Sequence, residues 1–535
     1  MALRLNGTMD TVSIRRLRDD LAASDYTVDR VTALWGADAE ASLHRGHRLP
    51  AARALAIGAS GPTATLARAF ILGLAVSKSE LDKALPGLRC SGAESLGLVR
   101  AVETGSADEE AVVPSFDLRP YAFVDRLGAG EWWILSDLGE VALGHALGED
   151  HVLGVGGASM TLSGLIAQSP VRRALDLGTG CGIQAMHLSR HAEEVVATDL
   201  SERALQIARL NAELNGISNI EFRSGDLFEP VAGERFDQIV SNPPFVITPR
   251  VSGIPAYEYR DGGMVGDTLV EAVVSGIAEH LSPGGAAQLL GNWEYRGGED
   301  GLDRVRGWID RAQPAVGARA DSEPDDVGVL DAWVVEREHM PATEYSETWV
   351  RDGGTQPGSA EFDRLYAAWL QDFDERGVTA VGFGYLFLRR RRRSGGHPGL
   401  RRLESVGQSL GQNEAGLGVH VARCFELYDW QRTRDDAALV GELLTVAADV
   451  TEERHFRPGE DDPSVILLRQ GGGFGRTVRV DTSLAAFVGA CDGSLSVGAI
   501  SDAIAELLDA DAALLRVNLL PEIRSLIDDA ILLPA

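Results

Sequence analysis

An α/β fold, a doubly wound and mostly parallel sheet with an accessory domain on either side, is what this sequence predicts. Three observations predict it. Between about residues 171 and 290, short apolar runs alternate with amphipathic helical stretches, the rhythm of βαβ units joined by right-handed crossovers. The first of those runs ends in a glycine turn that opens a helix. The chain, at 535 residues, also exceeds one domain at roughly 100–200 residues each.

Within the sheet region, residues 174–177 predict the first strand, Gly178 to Gly182 a turn, and 183–189 the start of a helix. Residues 194–198 form the second strand. Ser201 caps the next helix, which runs to Asn215 with Glu202 at its positive dipole end. Stretches 220–222, 236–240 and 286–290 supply further strands. Stretches 332–336 and 380–389 close the domain around an insertion carrying a helix over 361–376. The breaker-rich loop 393–399 marks the end, so the predicted domains are 1–150, 151–395 and 396–535.

The N-terminal part reads as helices over 12–34 and 63–74, then a short helix over 77–85 with Ser77 and Glu80 placed as a capping box. Strand-like runs 111–116 and 131–135 complete a winged-helix-like module. The C-terminal part reads as α+β. It has strand-like runs 464–468 and 476–480 around glycines 471–475 and a turn at Asp492-Gly493. Helical stretches 497–508 and 517–526 and a terminal strand 531–533 follow. No regular internal repeat is visible.

Acidic residues outnumber Lys and Arg by 79 to 50, a net charge of −29, which disfavours non-specific binding to phosphate backbones. Cys90, Cys181, Cys424 and Cys491 lie far apart, excluding a paired metal-ligand spacing and suggesting a reducing compartment. The sequence shows neither an apolar signal segment nor a membrane-length apolar run, so a cytoplasmic protein without membrane partners is expected.

The chemistry begins at Asp176-Leu-Gly178-Thr179-Gly180-Cys181-Gly182. Glycines at this spacing let a backbone approach a ligand, and the helix N-terminus behind them suits a carboxylate. Asp176 suits a cationic amine rather than a pyrophosphate. Asp199, followed by Leu200, ends the second strand about 20 residues on, where an acid binds ribose hydroxyls. Asp226 is placed to accept from an adenine amino group, with Leu227 packing on the ring. Gly-x-Gly-x-Gly with an aspartate two residues ahead favours S-adenosylmethionine over a dinucleotide, the plainer alternative.

The fourth strand closes with Ser241-Asn242-Pro243-Pro244-Phe245. An amide or aryl-amine nitrogen is a poor nucleophile because its lone pair is delocalised. Hydrogen bonds from its N–H groups to the Asn242 side-chain oxygen and the Pro243 carbonyl return density to nitrogen. The prolines stiffen the loop, and Phe245 stacks on the planar group. Asn242 stands between both sites and is counted with the cofactor residues as well. Such positioning contributes ~7–11 kcal/mol.

Here residues 150–393 resemble the class I S-adenosylmethionine-dependent methyltransferases that carry Asn-Pro-Pro-aromatic. The resemblance implies a Rossmann-like methyltransferase sheet. It also implies methyl transfer to a planar nitrogen of an adenine, a guanine or a glutamine side chain. Asn242 to Pro249, with its Val-x-Thr-Pro continuation, looks most like the release-factor glutamine methyltransferases, as do stretches 257–266 and 281–285. Those enzymes place Tyr where this chain has Phe245; phenylalanine is usual in guanine-N2 ribosomal RNA enzymes.

A protein side-chain amide is therefore the first expected acceptor, and a nucleic-acid base (guanine-N2 or adenine-N6) the alternative. Natural-product N-methylation and non-catalytic cofactor binding stand behind them. Arg389 to Arg393 with Arg401 and Arg402 form the one basic cluster, read either as a phosphate grip or as a solvated strand end. His187 and His191, at i,i+4 spacing, lack a matching carboxylate, and no metal is expected. Trp132 and Trp133 read as a domain contact and Cys181 as a filler. Residues 481–534 resemble peptide-binding winged-helix proteins that present substrate peptides to modifying enzymes, which implies a protein acceptor; a dimerisation or stability module is the alternative.

Overall fold

A computed structural model describes residues 10–58, 60–102, 110–143, 147–148, 150–251, 254, 260–312, 326–392 and 399–535. At its centre is an eight-stranded sheet: β1 Val171–Leu177, β2 Ala192–Asp199, β3 Ile220–Ser224, β4 Phe236–Ser241, β5 Leu281–Arg296, β6 Asp326–Pro341, β7 Val378–Arg392 and β8 Arg401–Ser405. The strand order is β8-β6-β7-β5-β4-β1-β2-β3. Strands β1 to β5 are mutually parallel, β7 runs antiparallel to both β5 and β6, and β8 lies parallel to β6. The chain winds outward from β1 to β3 and returns to β4 on the other side. That reversal makes the crevice beyond the β1 and β4 carboxyl ends the expected ligand site.

Side-chain alternation explains why both sheet faces are covered. Ala174, Val195, Ala197 and Val240 join one buried cluster, while Leu175, Val196 and Ile239 join the opposite one. Helices α1 Gly157–Leu165 and α2 Ile183–Leu188 pack on the first face. Helix α3 Glu202–Leu214 packs on the N-terminal domain side, and α4 Thr268–His280 and α5 Gly301–Arg311 cover the second face. The insertion between β6 and β7 holds two helices, α6 Ala342–Asp352 and α7 Ala360–Arg376, where one was expected.

Several expectations need correction. The stretch 12–34 is two helices, Thr11–Ala23 and Val28–Trp35, broken at Asp25 (φ +52°) and restarted by Thr27, whose side chain accepts the Arg30 N–H. The stretch 63–74 is a short α-helix, Pro62–Leu66, running into a π-helical turn, Ala67–Ile71. Asp492–Ser496 is a strand rather than a turn. The sheet continues past residue 395 into β8, while residues 393–398, where the sequence put the boundary, lie outside the described residues. So do residues 257–259 of the glycine-rich stretch.

The N-terminal domain has a sheet in the order Val76–Ser77, Ala111–Pro114, Val99–Val102, with two helices between its first and second strands. A hairpin, Phe116–Asp125 with Gly128–Asp137, follows and is zipped onto α3 by two asparagines. Asn211 bonds the Leu135 N–H and carbonyl at 2.8 and 2.9 Å, and Asn215 does the same for Trp133 at 3.0 and 2.8 Å. The C-terminal domain combines an antiparallel sheet (Val450–Phe456, Pro463–Gln470, Thr477–Val480) with a helical unit built on Leu443–Val446. Its Phe425, Phe474 and Phe487 share one buried cluster with Trp333 and Phe387 of the central sheet.

Candidate active site

Leu177, the last residue of β1, lies opposite Thr198 of β2 and Ser241 of β4. The Ser241 hydroxyl donates to the Leu177 carbonyl at 2.9 Å, locking the two strand ends together. The turn from Gly178 and the loop from Asn242 therefore leave adjacent strands at one level and on one edge of the sheet.

In the turn, the Gly178 and Thr179 N–H groups both donate to the Thr198 carbonyl, at 3.0 and 2.9 Å. Gly178 and Gly180 take φ of +77° and +54°, which a side chain would resist. Gly182 needs its bareness for a second reason: a Cβ there would sit 3.0 Å from that of Ala208 on α3. Asp176 is fully buried. One of its oxygens accepts from the Thr179 hydroxyl (2.6 Å) and the Ala185 N–H (2.9 Å), and the other has no partner among the described residues. Burial pushes its carboxyl up to about 7.

Asp199 accepts the Gly180 N–H and the Ser201 N–H, both at 2.9 Å, and burial raises its pKa. Leu200 beside it is 70% exposed. Asp226 is exposed, and Leu227 holds φ of +44°, a left-handed backbone that a branched side chain adopts only under constraint. These positions lie at or just beyond the carboxyl ends of β1, β2 and β3.

The loop after β4 is stapled from three directions. Phe245 bridges Asp261, and the Val246 N–H donates to the Arg260 carbonyl at 2.9 Å. Asp261 in turn pairs with Arg250, which also donates to the Met264 carbonyl at 2.8 Å. From the insertion, the Tyr345 hydroxyl of α6 accepts the Ile247 N–H at 3.0 Å, and Asp352 holds Arg260 at 2.6 Å. The Phe245 ring tilts against Phe383 of β7, centroids 5.3 Å apart. The Asn242 side-chain oxygen is buried with no hydrogen-bond partner among the described residues.

Residues 155–299 match the family model described as a methyltransferase small domain. The middle of this chain is a class I methyltransferase domain. Residues 23–109, ahead of it, match a domain of unknown function, DUF7059. A release factor glutamine methyltransferase of Xylella fastidiosa is 38% identical over 131 residues, 23% of this chain and 48% of that protein. A ribosomal protein uL3 glutamine methyltransferase of Bradyrhizobium diazoefficiens is 35% identical over 125 residues, 22% of this chain and 39% of that protein. The chain thus spans about half, or less, of the length of these relatives. A solved T. thermophilus 16S rRNA methyltransferase in complex with AdoMet and guanosine is 17% identical, covering 59% of this chain and 64% of that one, at a TM-score of 0.28.

Around the methyltransferase domain, the other sequence candidates take structural places. His187 meets the Tyr121 hydroxyl at 3.0 Å inside a ring of Tyr121, Phe123 and Trp132, and burial pushes it down to about 4. His191 faces the Gln238 amide at 2.8 Å. Trp133 donates to the Tyr26 carbonyl at 2.8 Å within the N-terminal domain, and burial pushes the Cys181 thiol up to about 11. Arginines of the basic cluster are bound inward: Arg389 to Asp331 and Asp429, Arg390 to the Ala278 and Leu281 carbonyls, and Arg402 to Glu404 and Asp529. Arg393 lies outside the described residues. Sequence reasoning missed Tyr345 and Asn292, which support the loop. A polar Asn292 interrupting the apolar run of β5 was the one available signal.

No helix among the described residues is long and apolar enough to cross a membrane.

Proposed function

We propose that this chain is an S-adenosylmethionine-dependent N-methyltransferase whose acceptor is the side-chain amide of a protein glutamine. One observation carries the reading. The register of Leu177 against Ser241 sets a ligand-accepting glycine turn beside an Asn-Pro-Pro-Phe loop whose Asn242 oxygen has no internal partner. Curated relatives named as glutamine methyltransferases of release factors and of a ribosomal protein support the choice of acceptor.

The residues present fit the cofactor. The orphaned buried oxygen of Asp176 suits its ammonium, and the left-handed glycines clear a path for its backbone-like chain. Asp199 would hold the ribose, with Leu200, Asp226 and Leu227 around the adenine. When bound, the cofactor supplies an electrophilic methyl group on a sulfonium. Asn242 and the Pro243 carbonyl then accept the two N–H groups of the substrate amide, and Phe245 covers its plane. Asn242 and the Pro243 carbonyl would thus present the nitrogen for methylation, in which an N–CH3 bond forms as the S–CH3 bond breaks to leave the thioether, and the proton released from nitrogen passes to solvent.

Label from methyl-labelled cofactor, incubated with the full chain and cell extract, should resist nuclease and vanish with protease. The opposite pattern would replace protein by nucleic acid as acceptor. A second expectation follows from Asp176. Its folded pKa of about 7 lies above its ordinary value, so the ligand-free protein loses stability as pH rises from 3.8 toward 7. An ammonium ligand needs the ionised form. Calorimetry with S-adenosylhomocysteine should therefore show affinity tightening several-fold between about pH 6 and about pH 8. Asp176→Asn should flatten that dependence; an equally steep slope in the variant would place the ammonium elsewhere.

A further inference from the structure

We propose that Thr248 forms the second half of the acceptor site, its hydroxyl donating to the carbonyl of a primary carboxamide, with Asn292 and Tyr345 supporting the loop that carries it. The inference rests on the proposed acceptor and says how the site would tell an amide from other planar groups. Buried polar atoms in folded proteins are nearly all hydrogen-bonded, so unpaired ones gathered in one place mark a missing partner. Among the described residues, two such atoms lie on this loop, Asn242 Oδ1 and Thr248 Oγ1, and a third, Asn292 Oδ1, on the strand tied to it through Tyr345. Thr248 is 4% exposed and Asn292 2%, so bulk water does not satisfy them.

Their setting connects them. Asn292 lies on β5 opposite Phe383, the ring against which Phe245 packs. Its Nδ2 donates to the Tyr345 hydroxyl at 2.8 Å, and the same hydroxyl takes the Ile247 N–H, one residue before Thr248. Tyr345 receives two donors, so its own proton is left to give. The loop thus offers two acceptors, Asn242 Oδ1 and the Pro243 carbonyl, and one donor, the Thr248 hydroxyl. A primary carboxamide offers the complement, two N–H groups and a carbonyl. Tyr345 acts as a positioning residue, fixing Asn292 and the loop backbone together from the insertion between β6 and β7.

Thr248→Val is the decisive variant because it is nearly isosteric and removes a hydroxyl that has no partner among the described residues. A purely structural Thr248 predicts unchanged behaviour, or a higher Tm, and nothing else. The expected result is an unchanged or raised Tm and unchanged S-adenosylhomocysteine affinity. The extract-protein concentration that half-saturates label transfer should rise about tenfold, the worth of one buried hydrogen bond. Thr248→Ser, which keeps the hydroxyl, should return it near the starting value. Protease-sensitive label with equal half-saturation in Thr248→Val and the parent would overturn this inference and leave the proposed function standing. So would a Ser variant as impaired as the Val variant. Nuclease-sensitive label from the parent would overturn both.

Discussion

Asn242→Ala should lower the turnover number by roughly 10²–10³ while leaving affinity for S-adenosylhomocysteine nearly unchanged, because one preorganised polar contact to the reacting group is lost. The structure separates this effect from misfolding. Asn242 Oδ1 has no hydrogen-bond partner among the described residues, so losing that oxygen breaks no hydrogen bond to them. The loop is held instead by Val246 to Arg260, Ile247 to Tyr345 and the Phe245–Asp261 bridge, none of which involves the Asn242 side chain. A Tm within a degree or so of the parent is expected, since surface-like changes without a lost partner stay within about 0.5 kcal/mol. Stopped turnover with intact cofactor binding and an intact Tm would fit the amide grip. Undiminished turnover would remove Asn242 from the chemistry.

Much of the fold was legible because its strands are short apolar runs bounded by residues with one conformational meaning. The glycines of the first turn and the prolines after β4 announced both loops, and the ends of β1 to β4 fall within three residues of those expected, whereas β5 and β6 run five or six residues further at each end. What joins the loops was not legible. That Leu177 meets Ser241 is a matter of register between strands some sixty residues apart, and no local pattern encodes it. Helix α6 was missed although Ala342, Tyr345, Trp349 and Val350 stand at helical spacing, and its Tyr345, Trp349 and Asp352 clamp the loop after β4 at both ends. Asn292 read as a break in a strand, whereas its meaning lies in Tyr345, which is 53 residues away. The Arg389 cluster failed differently. A charge run looks solvated until the acids facing it are known, and those acids come from β6 and the C-terminal domain.

Asp331→Ala should therefore be strongly destabilising, costing about 3 kcal/mol, because the Leu400 N–H and Arg389 both lose a fully buried acceptor while Arg389 is left with Asp429. Asp331 is fully buried on β6. One oxygen accepts from Arg389 at 2.6 and 3.1 Å, the other takes the Leu400 N–H at 2.7 Å, and Arg391 stands 3.6 Å away. Arg389 continues the network to Asp429 on the helix Leu417–Arg432 and lies over the Phe425 ring at 4.8 Å. The network thus ties the edge of the sheet to the C-terminal domain across their shared core, and its loss should lower the first transition in a thermal scan. Arg392→Ala is the contrasting variant. That side chain is exposed and donates to the Pro283 carbonyl at 3.1 Å, so about 0.5 kcal/mol or less is expected. Were the cluster a grip on phosphates, the order would invert: Arg392→Ala would weaken RNA retention at low salt, and Asp331→Ala would leave the melting profile alone. An acidic protein whose arginines face its own carboxylates is better matched to a protein acceptor than to a nucleic acid, and these two variants decide between them with a calorimeter and a salt series.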